Sequence, residues 1–285
     1  MLKMIASMRK SFLWLIFTTA LYSGLSAQKQ FVIDSPHISK ADTVWIFTPA
    51  GYADNTSKIY PLVYLLHGWS GTYHQWNDIM DCQRYADQYG FIIVCPDGLY
   101  DSWYINSPAN PRSQYADFFF SDLMPFVNEL YRVDSANVFI TGLSMGGHGA
   151  LYLFEQKPAL FRSAGSLSGV LDLKPSRNDY RISDYLGLHS ENAGEAELKA
   201  YSVSGNIDKI ARSGKEIIFS CGTSDPFYEV NNEFRKACDA EKINATYITA
   251  PGAHNYAYWK SEIGSHFEFF RTKIKTLVTT QPRIK

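Results

Sequence analysis

The chain has few charged residues, and neither sign of charge is in excess. Only 19% of its 285 residues are Asp, Glu, Lys or Arg, and the formal net charge is −1. Proteins that bind DNA or RNA concentrate Lys and Arg on one surface to neutralise phosphates, and no basic run occurs in the body of this chain. We therefore expect no nucleic-acid partner. The hydrophobic fraction of 46% is enough for one large core.

Cysteine is scarce, and the common zinc motifs are missing. The four cysteines are Cys82, Cys95, Cys221 and Cys238, with no Cys-x-x-Cys pair among them and no His-Glu-x-x-His string elsewhere. We therefore expect no metal and no cofactor. Cys95 and Cys221 lie in apolar runs typical of central strands. This position favours free, buried thiols that pack as small hydrophobic side chains, rather than disulfides.

Long apolar runs are missing except near the N-terminus. Residues 12–25 are largely apolar, three basic residues precede them, and small residues follow up to Ala27. This layout predicts a signal peptide over residues 1–27 and an exported protein, periplasmic or extracellular. The alternative is a membrane anchor, but the run is shorter than the ~20 residues that a spanning helix needs. We expect residues 28–285 to form one domain without a stable membrane anchor.

Short β-rich runs alternate with segments of helical periodicity along the chain. The strand candidates are residues 44–52, 60–68, 91–98, 137–142, 163–169, 215–223 and 244–252. Four of them contain nearly continuous apolar stretches, which is typical of strands buried on both faces. The alternation predicts an α/β fold with a mostly parallel central sheet flanked by helices on both faces. The first strands are expected to form an antiparallel edge.

The polar segment 170–213 interrupts this alternation. It carries three glycines and lies between two predicted sheet strands. We interpret it as an insertion over one end of the sheet. It is either a lid that controls the choice of leaving group or a solvated excursion of the chain.

A single serine lies between glycines in the string GLSMG at residues 142–146. The string alone is compatible with an ordinary glycine-rich loop. Its surroundings favour catalysis, because a predicted strand precedes Ser144 and a predicted helix follows it. A nucleophile elbow needs this strand-to-helix turn, in which small neighbours let the backbone fold tightly and expose the hydroxyl.

A serine hydroxyl is a weak nucleophile and needs an oriented base. In α/β-hydrolases the chain order is Ser, then Asp or Glu, then His. Asp225 and His254 each follow a predicted strand, so both lie at the sheet edge where Ser144 lies. The alternatives are a turn role for Asp225 and a helix-capping role for His254. His67 and His148 fit the base less well, and packing is the favoured role for His148.

Acyl transfer through a tetrahedral intermediate also needs two preorganised N–H donors. One usually comes from the residue after the nucleophile, here Met145, and the second from a loop after an early strand. The segment YLLHGWSGT offers the N–H of Trp69 as this second donor.

Five strings, LLHGWSGTYHQW, PDGLYDSWYINSP, GLSMGGHGAL, CGTSDPFY and PGAHNYAYW, occur in this order. Together they resemble the putative-esterase family of α/β-hydrolases, which includes esterase D, feruloyl and acetyl esterases, tributyrin esterases and mycolyltransferases. The resemblance covers about residues 40–275 and implies an α/β-hydrolase fold. It implies Ser144 as nucleophile, His254 as base and Asp225 as its partner, with Trp69 and Met145 as the oxyanion hole.

The resemblance defines the substrate less precisely than the catalytic residues. It places Trp103 and Tyr104 near the acyl pocket, and Phe227, Tyr256 and Trp259 lie in loops expected around the site. We expect a secreted serine esterase for short-chain acyl, acetyl or feruloyl esters of carbohydrates. The alternatives are an acyltransferase acting on a sugar or sterol alcohol and, less favoured, a non-catalytic carbohydrate-binding protein. The export signal argues against the glutathione thioester of the cytoplasmic esterase D branch.

Overall fold

The structure is a computed structural model that describes residues 28–188 and 194–275, so the predicted signal peptide lies outside the described residues. Within them, eight strands form one sheet: β1 (Gln28–Ile33), β2 (Asp42–Phe47), β3 (Tyr60–Leu66), β4 (Ile92–Pro96), β5 (Val133–Gly142), β6 (Ser163–Leu167), β7 (Ile217–Gly222) and β8 (Ala245–Ala250). The α-helices are α1 (Gln75–Ile79), α2 (Cys82–Tyr89), α3 (Tyr115–Phe118), α4 (Met124–Leu130), α5 (Met145–Gln156), α6 (Ile182–Leu186), α7 (Glu195–Tyr201), α8 (Ile207–Ser213), α9 (Tyr228–Ala240) and α10 (Tyr256–Lys273).

The sheet is mostly parallel and has an antiparallel edge, as predicted. The strand order is β1-β2-β4-β3-β5-β6-β7-β8. The β1–β2 and β2–β4 pairs are antiparallel, and every later pair from β4–β3 to β7–β8 is parallel. Strand β1 was not predicted, because its polar start QKQ hides the short apolar run that follows.

Helices cover both faces of the sheet, which confirms the prediction of a sheet flanked on both sides. Along β3, Leu62 and Tyr64 belong to one buried cluster, whereas Val63 and Leu65 belong to the other. Successive side chains of a strand point to opposite faces, so a strand covered on both sides is apolar at every position. Helices α4 and α5 pack on the first face, and α2 and α10 pack on the second.

Segment 170–213, which the sequence analysis interprets as an insertion, contributes α6, α7 and α8, although residues 189–193 lie outside the described part of the chain. All four cysteines are buried and unpaired, in agreement with the prediction. None of the helices in the described ranges is long and apolar enough to cross a membrane.

Candidate active site

Ser144 lies on a sharp turn between β5 and α5. Its backbone has φ 53° and ψ −118°, a strained conformation for a residue with a side chain. The turn is possible because Gly146 packs directly on the chain that leaves β3. A Cβ atom at position 146 would collide with the carbonyl oxygens of Leu66 and His67. The predicted nucleophile-elbow geometry is therefore present, and Ser144 is only 9% exposed.

The loops after β7 and β8 bring Asp225 and His254 to Ser144. The Nε2 atom of His254 lies 2.9 Å from Oγ of Ser144, and its Nδ1 atom lies 2.9 Å from Oδ2 of Asp225. Asp225 is buried, and its second carboxylate oxygen accepts the backbone N–H of Phe227 at 2.9 Å. A continuous chain of hydrogen bonds thus links a buried carboxylate, an imidazole and a serine hydroxyl. This arrangement can remove the hydroxyl proton as the oxygen attacks a carbonyl carbon.

The two predicted oxyanion donors belong to segments that approach this serine. Met145 is the first residue of α5, so its N–H has no partner within the helix. The loop after β3 also approaches the serine, because a Cβ atom on Gly68 would lie 3.4 Å from Cβ of Ser144. The N–H of Trp69 has no acceptor among residues 28–188 and 194–275.

Two of the five predicted substrate residues, Phe227 and Trp259, pack on the imidazole, and a third, Tyr256, packs on Trp259. The rings of Phe227 and Trp259 lie 5.1 and 5.0 Å from the His254 ring, in edge-on orientations. The indole N–H of Trp259 donates to Ser168 at 3.1 Å, which fixes that ring. Tyr256 is 46% exposed, and its hydroxyl accepts a hydrogen bond from Gln75 at 3.1 Å. Phe227 and Trp259 hold the imidazole in place, whereas Tyr256 lies partly in solvent.

The other two predicted substrate residues, Trp103 and Tyr104, are buried in the core. Both have positive φ angles, so this loop turns its side chains inward. The Tyr104 hydroxyl donates to the carbonyl of His67 at 3.0 Å, and the Trp103 indole donates to the carbonyl of Tyr180 at 3.3 Å. Contact with a substrate requires accessible rings, so the structure corrects the expectation and favours packing roles for both.

Tyr180, in the insertion, is a site residue that the sequence analysis missed. Its ring lies 5.7 Å from the ring of Trp69 and 6.2 Å from that of Phe227. It thus lies between the oxyanion loop and the ring that packs on His254, and it is 38% exposed. The following residue, Arg181, forms an ion pair with Asp101 at 2.7 Å, which fastens this part of the insertion to the loop after β4. Such a contact leaves no local signal in the sequence.

His148 packs inside the molecule, as the sequence analysis favoured. Its ring is fully buried, and its Nε2 atom lies 2.8 Å from the carbonyl oxygen of Tyr201. Burial disfavours the charged imidazolium and lowers the pKa of His148 to about 4. Within the described ranges, no group of three or more His, Cys, Asp or Glu side chains could hold a metal ion.

The family model described as "Putative esterase" matches residues 35–270, which is most of the chain. The chain belongs to this family. The match spans all eight described strands except β1, together with the elbow and the loops that carry Asp225 and His254. Membership identifies the protein as a carboxylic ester hydrolase.

Two curated relatives illustrate what this esterase resembles. It is 25% identical over 232 residues to the S-formylglutathione hydrolase of Mus musculus, a match that covers 72% of this chain and 80% of the relative. It is 24% identical over 230 residues to the acetyl esterase of Caldicellulosiruptor saccharolyticus, with 76% and 85% covered. Both names denote hydrolysis of an acyl ester or thioester.

The fold of this esterase is also found in solved structures. It superposes with a TM-score of 0.75 on FphF, a fluorophosphonate-binding serine hydrolase of Staphylococcus aureus, at 22% identity. The match covers 87% of this chain and 99% of the other. The comparison establishes the α/β-hydrolase fold predicted from the alternation of strands and helices.

Proposed function

We propose that this esterase works through a covalent acyl-enzyme on Ser144, with His254 as general base and acid and Asp225 as the partner of His254. The observation that carries the proposal is the pair of 2.9 Å contacts that join these three side chains in one line. The burial of Asp225 supports its role, because a buried carboxylate holds the imidazole tautomer with its proton on Nδ1. The Nε2 lone pair then faces the serine hydroxyl.

In the first step, Nε2 of His254 takes the hydroxyl proton while Oγ of Ser144 bonds to the ester carbonyl carbon. The carbonyl oxygen becomes an oxyanion, which accepts hydrogen bonds from the N–H groups of Met145 and Trp69. The carbon–oxygen bond to the alcohol then breaks, and the departing oxygen receives the proton from His254. Water repeats the sequence on the acyl-enzyme and releases the free acid. Preorganised donors matter here because they face the position where charge develops.

We propose short-chain acyl, acetyl or feruloyl esters of carbohydrates as the substrates. The Tyr180 ring contacts the rings of Trp69 and Phe227, and Phe227 packs on the imidazole of His254, so aromatic rings lie beside the general base. Aromatic walls suit a small apolar acyl group or a planar aromatic one. The relative named acetyl esterase agrees with a small acyl group. The partner of this site is accordingly a small-molecule or carbohydrate ester.

We also propose export after removal of residues 1–27. Support comes from the basic start, the short apolar run and the small residues that precede Gln28. An exported enzyme meets extracellular or periplasmic esters rather than a cytoplasmic glutathione thioester.

A substrate series tests this proposal. Purified residues 28–285 are assayed on p-nitrophenyl esters from acetate to octanoate, on methyl ferulate and on S-formylglutathione. The proposal predicts the highest kcat/KM on a short-chain or feruloyl oxygen ester. A thioester preference of tenfold or more would contradict the substrate assignment. Adding a sugar alcohol as acceptor separates hydrolysis from acyl transfer, because transfer yields a new ester in place of the free acid.

A further inference from the structure

Gly68 is held by side chains that the mechanism does not use. Its carbonyl oxygen lies 2.7 Å from Nδ1 of His67 and accepts the N–H of Gly71 at 3.0 Å. Its own N–H donates to Oε1 of Gln75 at 2.8 Å. Both polar groups of this one residue are therefore fixed, although it lies in a loop between β3 and α1.

The orientation of the Gly68 carbonyl decides the orientation of the Trp69 N–H. The two groups belong to one peptide unit, which is planar and trans, so they point in opposite directions. A donor that holds the carbonyl on one side consequently aims the N–H to the other side. Ser144 is a close neighbour of this peptide unit, since a Cβ atom at position 68 would lie 3.4 Å from Cβ of Ser144.

The tautomer of His67 follows from its hydrogen bonds. The Nε2 atom accepts the backbone N–H of Gly98 at 2.7 Å, which leaves no room for a proton on Nε2. The single proton of the neutral ring is therefore on Nδ1, where it is donated to the Gly68 carbonyl. Asp97 lies farther from Nε2, at 3.5 Å. The ring is 1% exposed, so His67 does not touch a substrate.

Gln75 extends this arrangement to the opposite side of the site. Its Oε1 atom accepts from Gly68, and its Nε2 atom donates to the hydroxyl of Tyr256 at 3.1 Å. Tyr256 follows His254 by two residues in the sequence. The side chain of Gln75 thus connects the oxyanion loop with the loop that carries the general base.

We propose that His67 and Gln75 are positioning residues that clamp Gly68 and thereby aim the Trp69 N–H at the oxyanion. The inference rests on the proposed function, because it needs Ser144 as the nucleophile and Trp69 as a donor. It predicts that loss of the clamp lowers kcat and leaves KM nearly unchanged, since the oxyanion forms only during reaction.

The test uses two matched substitutions of His67. Asn and Leu are similar in size, and both lose the Gly98 contact, but only Asn keeps a donor near the Nδ1 position. We expect kcat of His67→Leu to be about 10- to 100-fold below that of His67→Asn, because one oxyanion donor is worth about 10²–10³ in rate. The KM values of the two variants should agree within about twofold. A boronic-acid inhibitor places an oxygen in the oxyanion hole, so its affinity should fall by the same factor as kcat.

Active-site titration with a fluorophosphonate gives the concentration of competent enzyme, so a purely structural role would show equal kcat per titrated site in both variants. That result would overturn the proposal.

If neither His67 variant folds, substitutions of the partly exposed Gln75 test the proposal instead. Gln75→Glu keeps the acceptor for Gly68 and Gln75→Met removes it, so only the Met variant should lose kcat, and equal kcat would overturn the clamp. Ser144→Ala distinguishes failure of the clamp proposal from failure of the proposed function, because only retained activity in Ser144→Ala would reject the proposed function itself.

Discussion

The imidazole Nε2 of His254 lies 2.9 Å from Oγ of Ser144, although 110 residues separate them in the chain. The parallel sheet produces this contact, because the turn after β5 and the loop after β8 both lie at the carboxyl edge of the strands. Two residues contributed by distant strands can then act on the same bond.

Replacing Asp225 by Asn should lower kcat/KM by about 10³- to 10⁴-fold. The Asn carbonyl can still accept the Phe227 N–H, but its NH₂ group then faces Nδ1 of His254 and forces the ring proton onto Nε2. That tautomer cannot take the serine proton. Steady-state kinetics on p-nitrophenyl acetate measure the loss. Asp239→Asn, on the exposed end of α9, is the control and should retain full activity.

Gly146→Ala should destabilise the fold by about 3 kcal/mol, because the added methyl group meets the fixed backbone oxygens of Leu66 and His67. Gly264→Ala is the matched change in α10, where the new Cβ atom meets only the Tyr85 hydroxyl at 3.6 Å. That variant should be as stable as the parent or about 0.5–1 kcal/mol more stable. Urea denaturation of both variants checks the contrast, and equal stabilities would count against the close packing at the elbow.

His148 should make the protein less stable as the pH falls from about 6.5 towards 4. Burial lowers the pKa of His148 to about 4 in the folded state, whereas the unfolded chain titrates near the ordinary value of 6.5. Between these values the unfolded state binds more protons, so acid favours unfolding by up to a few kcal/mol, and the full stabilisation is present above pH 6.5.

His148→Gln tests this pH dependence, because Gln can keep a donor near Tyr201 but does not titrate. The free energy of unfolding of the variant should change less between pH 6.5 and pH 4 than that of the parent. Urea titrations at four pH values provide the comparison. If the free energy of unfolding changed equally with pH in the two proteins, a buried, neutral His148 would be ruled out as the cause.

Tyr180→Ala should widen the acyl range. Removing the ring opens the space between Trp69 and Phe227, so kcat/KM for octanoate relative to acetate should rise by about tenfold, as expected for a few methylene contacts. Tyr180→Phe keeps the ring and should retain the parental ratio. An unchanged ratio in the Ala variant would mean that Tyr180 does not restrict the acyl group.

The positions of the three reacting side chains could be predicted because each depends on the strand that directly precedes it in the sequence. Ser144 stands between a strand and a helix, and Asp225 and His254 directly follow strands. Alternation of strands and helices then places all three at one edge. The elbow could be recognised in the sequence for the same reason.

The surroundings of the site depend on contacts between distant loops, which no local pattern encodes. Gln75 reaches both Gly68 and Tyr256, and Tyr180 comes from the insertion. The family resemblance placed Trp103 near the acyl pocket, but its backbone has a positive φ angle and its ring is buried in the core. Backbone reversals of this kind follow from tertiary packing rather than from residue type.

The acyl-enzyme on Ser144 is tested most directly by rapid-quench kinetics with p-nitrophenyl acetate on residues 28–285. Mass spectrometry of the quenched protein locates the acetyl group, and Ser144→Ala is assayed in parallel. The account predicts acetylation of the peptide that carries Ser144 and a rate in the variant at least about 10³-fold lower. A variant that keeps most of the activity, or an acetyl group on another residue, would contradict it.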